Sequence, residues 1–309
     1  MRNSILLKAA SAGAFEIGVW PKSRLIGTAA RRNLEETRAA AAGWGLSREA
    51  TWETLRLTTV PRPRTVFILG SGRSILELTS DRLAHIERHT SAALNSWLTH
   101  SDFVPSFVLA EDVTRCQWEP LERFASDERL YAVLMTRFAG MQQASEHVNA
   151  SMCASVPDTL VGKTRAYATV PLLGRSRRAI RIYYNQLIDF ALWTRRPTGP
   201  TSTSLERAIL MFALSGYRRI VLCGFDLRGP YWWEGPDAQG SDPVLTDRHR
   251  VVAGPVSGRI PILARVVERR LGTSVQVASN RVALARDLTV YDDWDDYREA
   301  FHRFAALVP

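Results

Sequence analysis

The sequence predicts an α/β protein built on a doubly wound, mostly parallel sheet. Two observations lead to this fold class: short continuous apolar runs alternate with segments of helical periodicity, and the first of these runs ends in a glycine-rich turn. Continuous apolar runs are typical of strands buried on both faces, and strands that alternate with helices form parallel sheets. With 309 residues, 46% of them hydrophobic, the chain can bury a large core, which excludes a disordered or disulfide-stapled protein.

Residues 1–60 are predicted to form a helical extension, and residues 61–309 the α/β domain. Residues 27–43 are rich in alanine, glutamate and arginine and are bounded by glycines, which is typical of a helix. The PRPR segment at 61–64 marks the boundary, because proline fixes φ and disfavours helix before it. The chain has no apolar run long enough to span a membrane, no clear export signal and no paired cysteine motif, so we expect a cytoplasmic protein.

The α/β domain is predicted to begin with a buried strand at 66–69, followed by the glycine-rich turn and a helix. Further strands are predicted at 91–96, 106–110, 130–135, 219–224 and 274–278, and helices at 176–193, 203–215 and 261–270. The third of these helices has Pro261 in its first turn, a position that proline favours. The acidic cluster at 292–296 precedes an amphipathic segment and is interpreted as the first turn of a C-terminal helix.

The glycine-rich turn reads Gly70-Ser71-Gly72-Arg73-Ser74. Its glycines permit close approach of a phosphate or ribose to backbone N–H groups. The pattern lacks the third glycine of the dinucleotide fingerprint and the lysine of a Walker motif. Ligands of doubly wound sheets bind beyond the carboxyl ends of the strands. Polar residues that follow predicted strands are therefore expected to share one pocket with this turn; they are Asn95, Glu111, Asp112, Asp226, Ser279 and Asn280.

Three segments in a fixed order carry a resemblance to a known family. They are residues 67–75 (FILGSGRSI) with Asn95 after the next strand, Thr203-Ser204 opening a helix that ends in LSGY, and residues 219–227 (RIVLCGFDL) with an aromatic loop behind them. From Val66 to Arg286 the chain thus resembles the bacterial sialyltransferases of glycosyltransferase family 42. The resemblance extends to a wider group that includes MptE-like pterin diphosphokinases.

The resemblance implies a variant GT-A, Rossmann-like fold that binds CMP-sialic acid without a metal. The residues it places at the nucleotide or donor are Gly70, Ser71, Gly72, Ser74, Asn95, Thr203 and Ser204. Glu111 stands where the family has an asparagine at the end of the third strand. Asp226, at the end of a predicted strand, is expected either to bind a ribose or sugar hydroxyl or to cap the next turn. The family's catalytic base is a histidine between the GxD strand and the late helix, and His249 is the histidine of that interval. A leaving-group tyrosine of the family falls on Arg228, and a second tyrosine falls near Tyr231.

These residue types suit transfer of a sugar from a CMP donor. A histidine titrates near neutral pH, so His249 is expected to take the proton of the attacking hydroxyl. Arg228 is expected to stabilise the departing phosphate with its charge and forked donors. Tyr231 belongs to a Tyr-Trp-Trp run in a predicted loop, and such aromatics either stack on a sugar or form a small core under the loop.

Other functions stay open at this point. A diphosphokinase would need ATP, magnesium and carboxylates, for which Glu111, Asp112 and Asp226 are the candidates. The DxD-like spacing in the 292–296 cluster is an alternative metal site, and the donor could be a different nucleotide sugar. The net charge of +9 suits an anionic substrate or an anionic membrane, but no aromatic-interleaved basic stripe indicates nucleic acid.

Our prediction is a metal-independent, inverting glycosyltransferase without a cofactor. It moves sialic acid or a related nonulosonic acid from CMP to a glycan or glycolipid acceptor of the bacterial surface, as in lipopolysaccharide or capsule biosynthesis. Peripheral association with the inner membrane and a homo-oligomeric state are left open.

Overall fold

A computed structural model describes the fold of the α/β domain. It describes residues 50–55, 65–94, 97, 101–111, 115–136, 156–170, 176–200, 202–227 and 256–295, together with Thr28, Arg31, Arg32, Glu35 and Ala42. Those five residues are helical and exposed; the rest of the helix predicted over 27–43, and the predicted C-terminal helix, lie outside the described residues.

The described part of the chain alternates strands and helices. The strands are β1 (Thr65–Leu69), β2 (Thr90–Leu94), β3 (Phe107–Glu111), β4 (Ala132–Thr136), β5 (Thr164–Ala166), β6 (Ala168–Val170), β7 (Thr198–Pro200), β8 (Arg219–Cys223), β9 (Ser274–Val277) and β10 (Thr289–Val290). The helices are α1 (Trp52–Leu55), α2 (Ser80–Glu87), α3 (Arg115–Glu122), α4 (Asp158–Val161), α5 (Arg177–Thr194), α6 (Ser204–Leu214) and α7 (Val256–Leu271). Short 3₁₀ turns cover Arg73–Glu77, Ala283–Arg286 and Asp293–Asp295.

Eight of the strands form one sheet in the order β10-β9-β8-β1-β2-β3-β4-β5, and β6 and β7 form a separate pair. Every described strand pair is parallel. The chain builds outwards from β1 to β5 and then returns to the other side of β1 at β8. This confirms the predicted α/β class with a doubly wound parallel sheet.

The core lies on both faces of the sheet, as the continuous apolar strands require. In β1, Val66 and Ile68 belong to the hydrophobic cluster on one face, and Phe67 and Leu69 to the cluster on the other. All five residues of β1 are buried. Helix α2 contributes Ile86 to the cluster around Phe67, whereas α5, α6 and α7 contribute to the cluster around Val66.

Helix α6 is the innermost helix, because all eleven of its residues are buried. It contacts β1, β2, β3 and β8 on one side and is covered by α5 and α7 on the other. A helix enclosed in this way is apolar on all sides, which explains its run from Ala208 to Leu214. Helix α5, in the outer layer, is instead amphipathic: its buried residues recur every three or four positions from Ala179 to Ala191, while Arg177, Arg178 and Arg181 are exposed.

Several predicted boundaries were close and two were wrong. The helices at 176–193 and 203–215 are confirmed as α5 and α6, within one residue at each end. Helix α7, however, begins at Val256, so Pro261 lies inside the helix and not in its first turn. A proline at this position leaves the carbonyl one turn earlier without its donor, and its ring is buried in the helix interface. The sequence predicts one helix after the glycine-rich turn. The structure has a 3₁₀ turn and then α2, and residues 78–79 separate the two.

Part of the predicted N-terminal extension packs on the sheet domain. Trp52 and Leu55 are buried in the same cluster as α6, and the hydroxyl of Tyr217 donates to the carbonyl of Leu55 at 3.1 Å. The predicted domain boundary at residue 60 stays a prediction. None of the described helices is long and apolar enough to cross a lipid bilayer.

Candidate active site

The chain reverses its direction of winding between β1 and β8. These strands are neighbours in the sheet, yet α2 follows β1 on one face and α7 follows β8 on the other. The two connections therefore diverge and leave a crevice beyond the carboxyl ends of both strands. In doubly wound sheets this position is where ligands bind.

The glycine-rich turn after β1 is in direct contact with the loop after β8. The N–H of Gly70 donates to the carbonyl of Cys223 at 2.8 Å, and the N–H of Gly72 donates to the carbonyl of Gly224 at 2.7 Å. A Cβ atom on Gly70 would lie 2.6 Å from the carbonyl oxygen of Gly224, and one on Gly72 would lie 2.7 Å from the carboxyl carbon of Asp226. The glycines are thus needed for the approach of the two loops.

Asp226 joins the same two loops through its side chain. The N–H of Ser74 donates to Oδ2 of Asp226 at 2.9 Å, and the Ser74 hydroxyl donates to Oδ1. The carboxylate therefore caps the 3₁₀ turn at Arg73–Glu77, although the two residues are 152 positions apart in the sequence. Asp226 thus positions the turn, and each of its two carboxylate oxygens accepts one hydrogen bond from Ser74.

The turn also presents donors that the protein leaves unused. Within the described part of the chain, the N–H groups of Ser71 and Arg73 donate no hydrogen bond, and the half-buried guanidinium of Arg73 has no ion-pair partner. Backbone N–H groups of a glycine-rich turn beside a guanidinium form a site for an anion. Arg73 was not among the predicted site residues, although it lies inside the GxGxS motif.

A third loop completes the floor of the crevice. After β9, the hydroxyl of Ser279 donates to Oε2 of Glu77 at 2.6 Å, and Arg281 forms a 3.4 Å ion pair with the same carboxylate. Glu77 ends the 3₁₀ turn, so the loops after β1, β8 and β9 are all linked to that turn. Of the polar residues expected to share a pocket with the turn, Asp226 and Ser279 are in contact with it; the expectation for the whole set stays a prediction.

The N-terminus of α6 lies at the same edge. Its C-terminal end packs against the starts of strands, since Phe212 contacts Phe107 and Tyr217 contacts Thr90; its N-terminal end therefore points to the carboxyl edge. Thr203 caps the helix, with its Oγ1 accepting from the N–H of Glu206 at 3.1 Å. The N-terminus of a helix favours anions, and at α6 it is capped and buried.

Behind Thr203 lies a buried ion pair between Glu206 and Arg259, which are 0% and 1% exposed. Arg259 Nε lies 2.8 Å from Oε1 of Glu206, and its second nitrogen lies 3.2 Å from Oε2. The hydroxyls of Tyr184, Ser202 and Thr203 also donate to this carboxylate. Burial alone would raise the pKa of Glu206. The charge and hydrogen bonds of Arg259 have the larger effect and hold the pKa below its usual value, so the carboxylate stays ionised.

Sequence reasoning missed this network. One signal was present: Thr203 and Glu206 have the T-x-x-E spacing of a capping box. The burial of Arg259 could not be predicted from the sequence, because an arginine beside an apolar run ordinarily lies on the surface. Arg207 is a second buried arginine, with a pKa lowered by burial to about 9, and it donates to the hydroxyl of Ser204 at 3.2 Å.

The predicted site residues divide into two groups. The structure brings together Gly70, Ser71, Gly72, Ser74 and Asp226 in the crevice, with Thr203 and Ser204 at the helix end beside the same edge. Glu111 is the last residue of β3; its side chain, together with Asn95, Asp112, Arg228, Tyr231 and His249, lies outside the described residues.

One member of the acidic cluster at 292–296 takes part in a contact with the sheet. Asp293 forms an ion pair with Arg219 and lies in a 3₁₀ turn. Among the described residues, no group of three or more histidine, cysteine or acidic side chains is placed to hold a metal ion.

Comparisons with known proteins found remote similarity at the level of structure. No family model matches the chain, and no curated protein sequence is similar to it. The sialyltransferase CstII of Campylobacter jejuni, solved with a substrate analogue, cytidine-5'-monophosphate, is 14% identical with a TM-score of 0.45, covering 76% of this chain and 88% of that one. An apo α-2,3-sialyltransferase of the same organism is 11% identical with a TM-score of 0.43, covering 80% and 86%.

A third structure is the MAf glycosyltransferase of Magnetospirillum magneticum AMB-1. It is 14% identical with a TM-score of 0.43, and the match covers 88% of this chain but 42% of that one. These similarities are remote, so the function of the protein is inferred below from its own residues.

Proposed function

We propose that the protein is a metal-independent, inverting glycosyltransferase that moves sialic acid or a related nonulosonic acid from a CMP donor to a glycan or glycolipid of the bacterial surface. The proposal rests on the ordered motifs from Val66 to Arg286 and on the position of two of them. The glycine-rich turn and the GxD loop meet at the crevice between β1 and β8.

The observation that carries the proposal is the set of donors in the turn that have no partner among the described residues. The N–H groups of Ser71 and Arg73 and the guanidinium of Arg73 suit one phosphate group. A CMP-sugar brings a single phosphodiester, which these donors can bind without a cation. Gly70 and Gly72 let the turn lie directly against the GxD loop, and Ser74 and Asp226 hold the turn in place.

The reaction needs a base for the acceptor and a partner for the leaving group. His249 takes the proton of the attacking hydroxyl, and Arg228 and Tyr231 stabilise the departing CMP phosphate; these roles follow from the motif resemblance. Asn95, Glu111, Thr203 and Ser204 complete the donor site. The acceptor binds on the opposite side of the donor sugar from the phosphate, as inversion requires, and the enzyme works in the cytoplasm.

The ATP-dependent diphosphokinase is the weaker alternative. That chemistry would require magnesium held by free carboxylates, whereas both oxygens of Asp226 already accept hydrogen bonds from Ser74. Transfer from a different nucleotide sugar fits the same loop geometry, so the experiment includes other donors.

Turnover tests the donor class. CMP release is measured from CMP-N-acetylneuraminate with a mixed glycan acceptor pool, with and without EDTA, and in parallel from other CMP-, UDP- and GDP-sugars and from ATP with magnesium. We expect CMP release that survives EDTA and falls by a factor on the order of 10²–10⁴ in His249→Ala. Turnover of ATP with magnesium, or of a UDP- or GDP-sugar in place of CMP-sugars, would overturn the proposal.

Nucleotide binding tests the crevice separately from catalysis. Titration calorimetry with CMP is expected to show about 10- to 100-fold weaker binding for Arg73→Gln, since a charge-assisted hydrogen bond is lost. Arg88→Gln is the matched control, because Arg88 is an exposed arginine at the C-terminal end of α2, away from the turn. Equal CMP affinity of the Arg73 variant and the wild type would remove the turn from the donor site.

A further inference from the structure

An open groove lies between α5 and α7 in the outer helical layer. It has a volume of about 410 Å³ and is lined by five arginines over a floor of Ile262 and Val266. The arginines are Arg177, Arg178 and Arg181 of α5 and Arg265 and Arg269 of α7, and all five are exposed. We call this feature the arginine groove.

The arginine groove has no counter-ion of its own. Within the described part of the chain, none of the five guanidinium groups forms an ion pair or a hydrogen bond. The neighbouring acid of α5, Asp189, is bound to Arg270 at 2.6 Å. Glu268 of α7 is exposed and forms no described ion pair. Among the described residues, the groove therefore carries an excess of positive charge that suits an external anion.

This arrangement is unfavourable for the isolated protein. Arg177 and Arg181, like Arg265 and Arg269, are four residues apart on one helix, a spacing at which like charges repel. Arg177 and Arg178 also lie in the first turn of α5, at the positive end of the helix dipole. Since guanidinium groups pair with phosphate through two parallel hydrogen bonds, phosphate is the anion that this cluster suits.

Exposed apolar side chains continue the same side of α5. Leu192 is 49% exposed and Trp193 is 72% exposed. Leu192 follows Arg181 by eleven residues, about three helical turns, so the two side chains project from the same side, roughly 16 Å apart. Trp193 follows Leu192 at the end of the helix. Arginine clusters followed by an exposed tryptophan are typical of helices that lie at a membrane surface.

We propose that the arginine groove and the exposed Leu192 and Trp193 bind an anionic phospholipid surface. Lipid phosphates occupy the groove, and α5 lies along the headgroup layer with Trp193 at its boundary with the acyl chains. A phosphate-bearing soluble molecule would explain the arginines but not the apolar residues beside them. The binding does not depend on which donor the enzyme uses.

Vesicle co-sedimentation of the full chain tests the proposal. We expect binding to vesicles of phosphatidylglycerol and phosphatidylcholine and little binding to phosphatidylcholine alone. A triple variant with Arg177→Gln, Arg181→Gln and Arg265→Gln should bind on the order of 100-fold more weakly, at about fivefold per arginine. Trp193→Ala should weaken binding as well, without any change of charge.

The control is a triple variant with the same change in net charge on the other face of the sheet: Arg88→Gln, Arg123→Gln and Arg129→Gln. It should retain vesicle binding to within a fewfold. Because the groove variant removes repulsion and no contact, its thermal unfolding temperature should be equal to or above that of the wild type. A loss of binding then cannot be attributed to misfolding. Equal losses in both triple variants, or binding of soluble diphosphate or RNA that is stronger than binding of vesicles, would overturn the proposal.

Discussion

Replacing Arg259 by methionine is expected to destabilise the fold by about 3–5 kcal/mol, because the change leaves Glu206 as a buried charge without its cation. The magnitude follows from the contacts. Two nitrogens of Arg259 bind the two oxygens of Glu206, at 2.8 and 3.2 Å, and each hydrogen bond to a charged group contributes about 1.5–3 kcal/mol. Neither side chain can turn to water, since they are 0% and 1% exposed.

A double-mutant cycle separates the pair from the rest of the network. The double variant Glu206→Gln with Arg259→Met removes both charges, so we expect it to be about 1–4 kcal/mol more stable than Arg259→Met alone. Tyr184 and Ser202 donate to different oxygens of Glu206, so the single amide oxygen of Glu206→Gln can accept from one of these hydroxyls. Urea unfolding of the four proteins gives the coupling free energy directly.

The pH dependence of the same cycle has a defined sign. The pKa of Glu206 in the folded protein is below its ordinary value of 4.5, so the charged pair contributes stability above that pH. The contribution should be lost as the pH falls below about 4.5 through the folded-state pKa. The difference in unfolding free energy between wild type and Glu206→Gln should therefore be constant near neutrality and shrink in acid. A cost below 1 kcal/mol for Arg259→Met, or a double variant no more stable than that single one, would refute the reasoning.

Three further predictions concern the crevice. Gly72→Ala should cost about 1–3 kcal/mol in urea unfolding and weaken CMP binding in calorimetry, because its Cβ would lie 2.7 Å from the Asp226 carboxyl carbon; unchanged stability would contradict the loop contact. Gly224→Ala should lower the free energy of unfolding by at least about 1–2 kcal/mol, since the φ of Gly224 is +73°. The control Gly258→Ala lies in a helix with open space around it and should raise the free energy of unfolding by about 0.5–1 kcal/mol. Asp226→Asn should lower the free energy of unfolding by about 1–3 kcal/mol, because it places an amide donor against the N–H or hydroxyl of Ser74. Adding Ser74→Ala to that variant should lower it little further. Additive losses would show that the two residues act separately.

Strong local patterns in the sequence predict most of the sheet and its covering helices. Residues 66–69 and 220–223 are apolar throughout because both faces of β1 and β8 are buried there. Helix α5 shows the three-to-four spacing of a helix with one buried side. The strands β5, β6 and β7 have three residues each. Such short strands show no periodicity, and they could not be predicted.

The candidate site was predictable as a place but not as a set of contacts. Because parallel strands end at one edge, polar residues after β1, β8 and β9 had to meet there, and Ser74, Asp226 and Ser279 do. Which of them pair depends on the register between β1 and β8, which local sequence does not encode. The ion pair of Glu206 with Arg259 was hidden for a similar reason, since the burial of α6 arises from the packing of α5 and α7 over it.

The central position of β1 has a consequence for the order of folding during synthesis. One edge of β1 pairs with β2, which follows soon after it in the chain, but the other edge pairs with β8, and Thr65 meets Arg219 from 154 positions away. At about 5–20 residues per second, a ribosome needs roughly 8–30 s to supply that partner. Until then the most apolar strand of the nascent protein has an unpaired edge, a hazard for aggregation. Variants that slow elongation before residue 219 should therefore lower the yield of soluble protein without changing the stability of the molecules that fold.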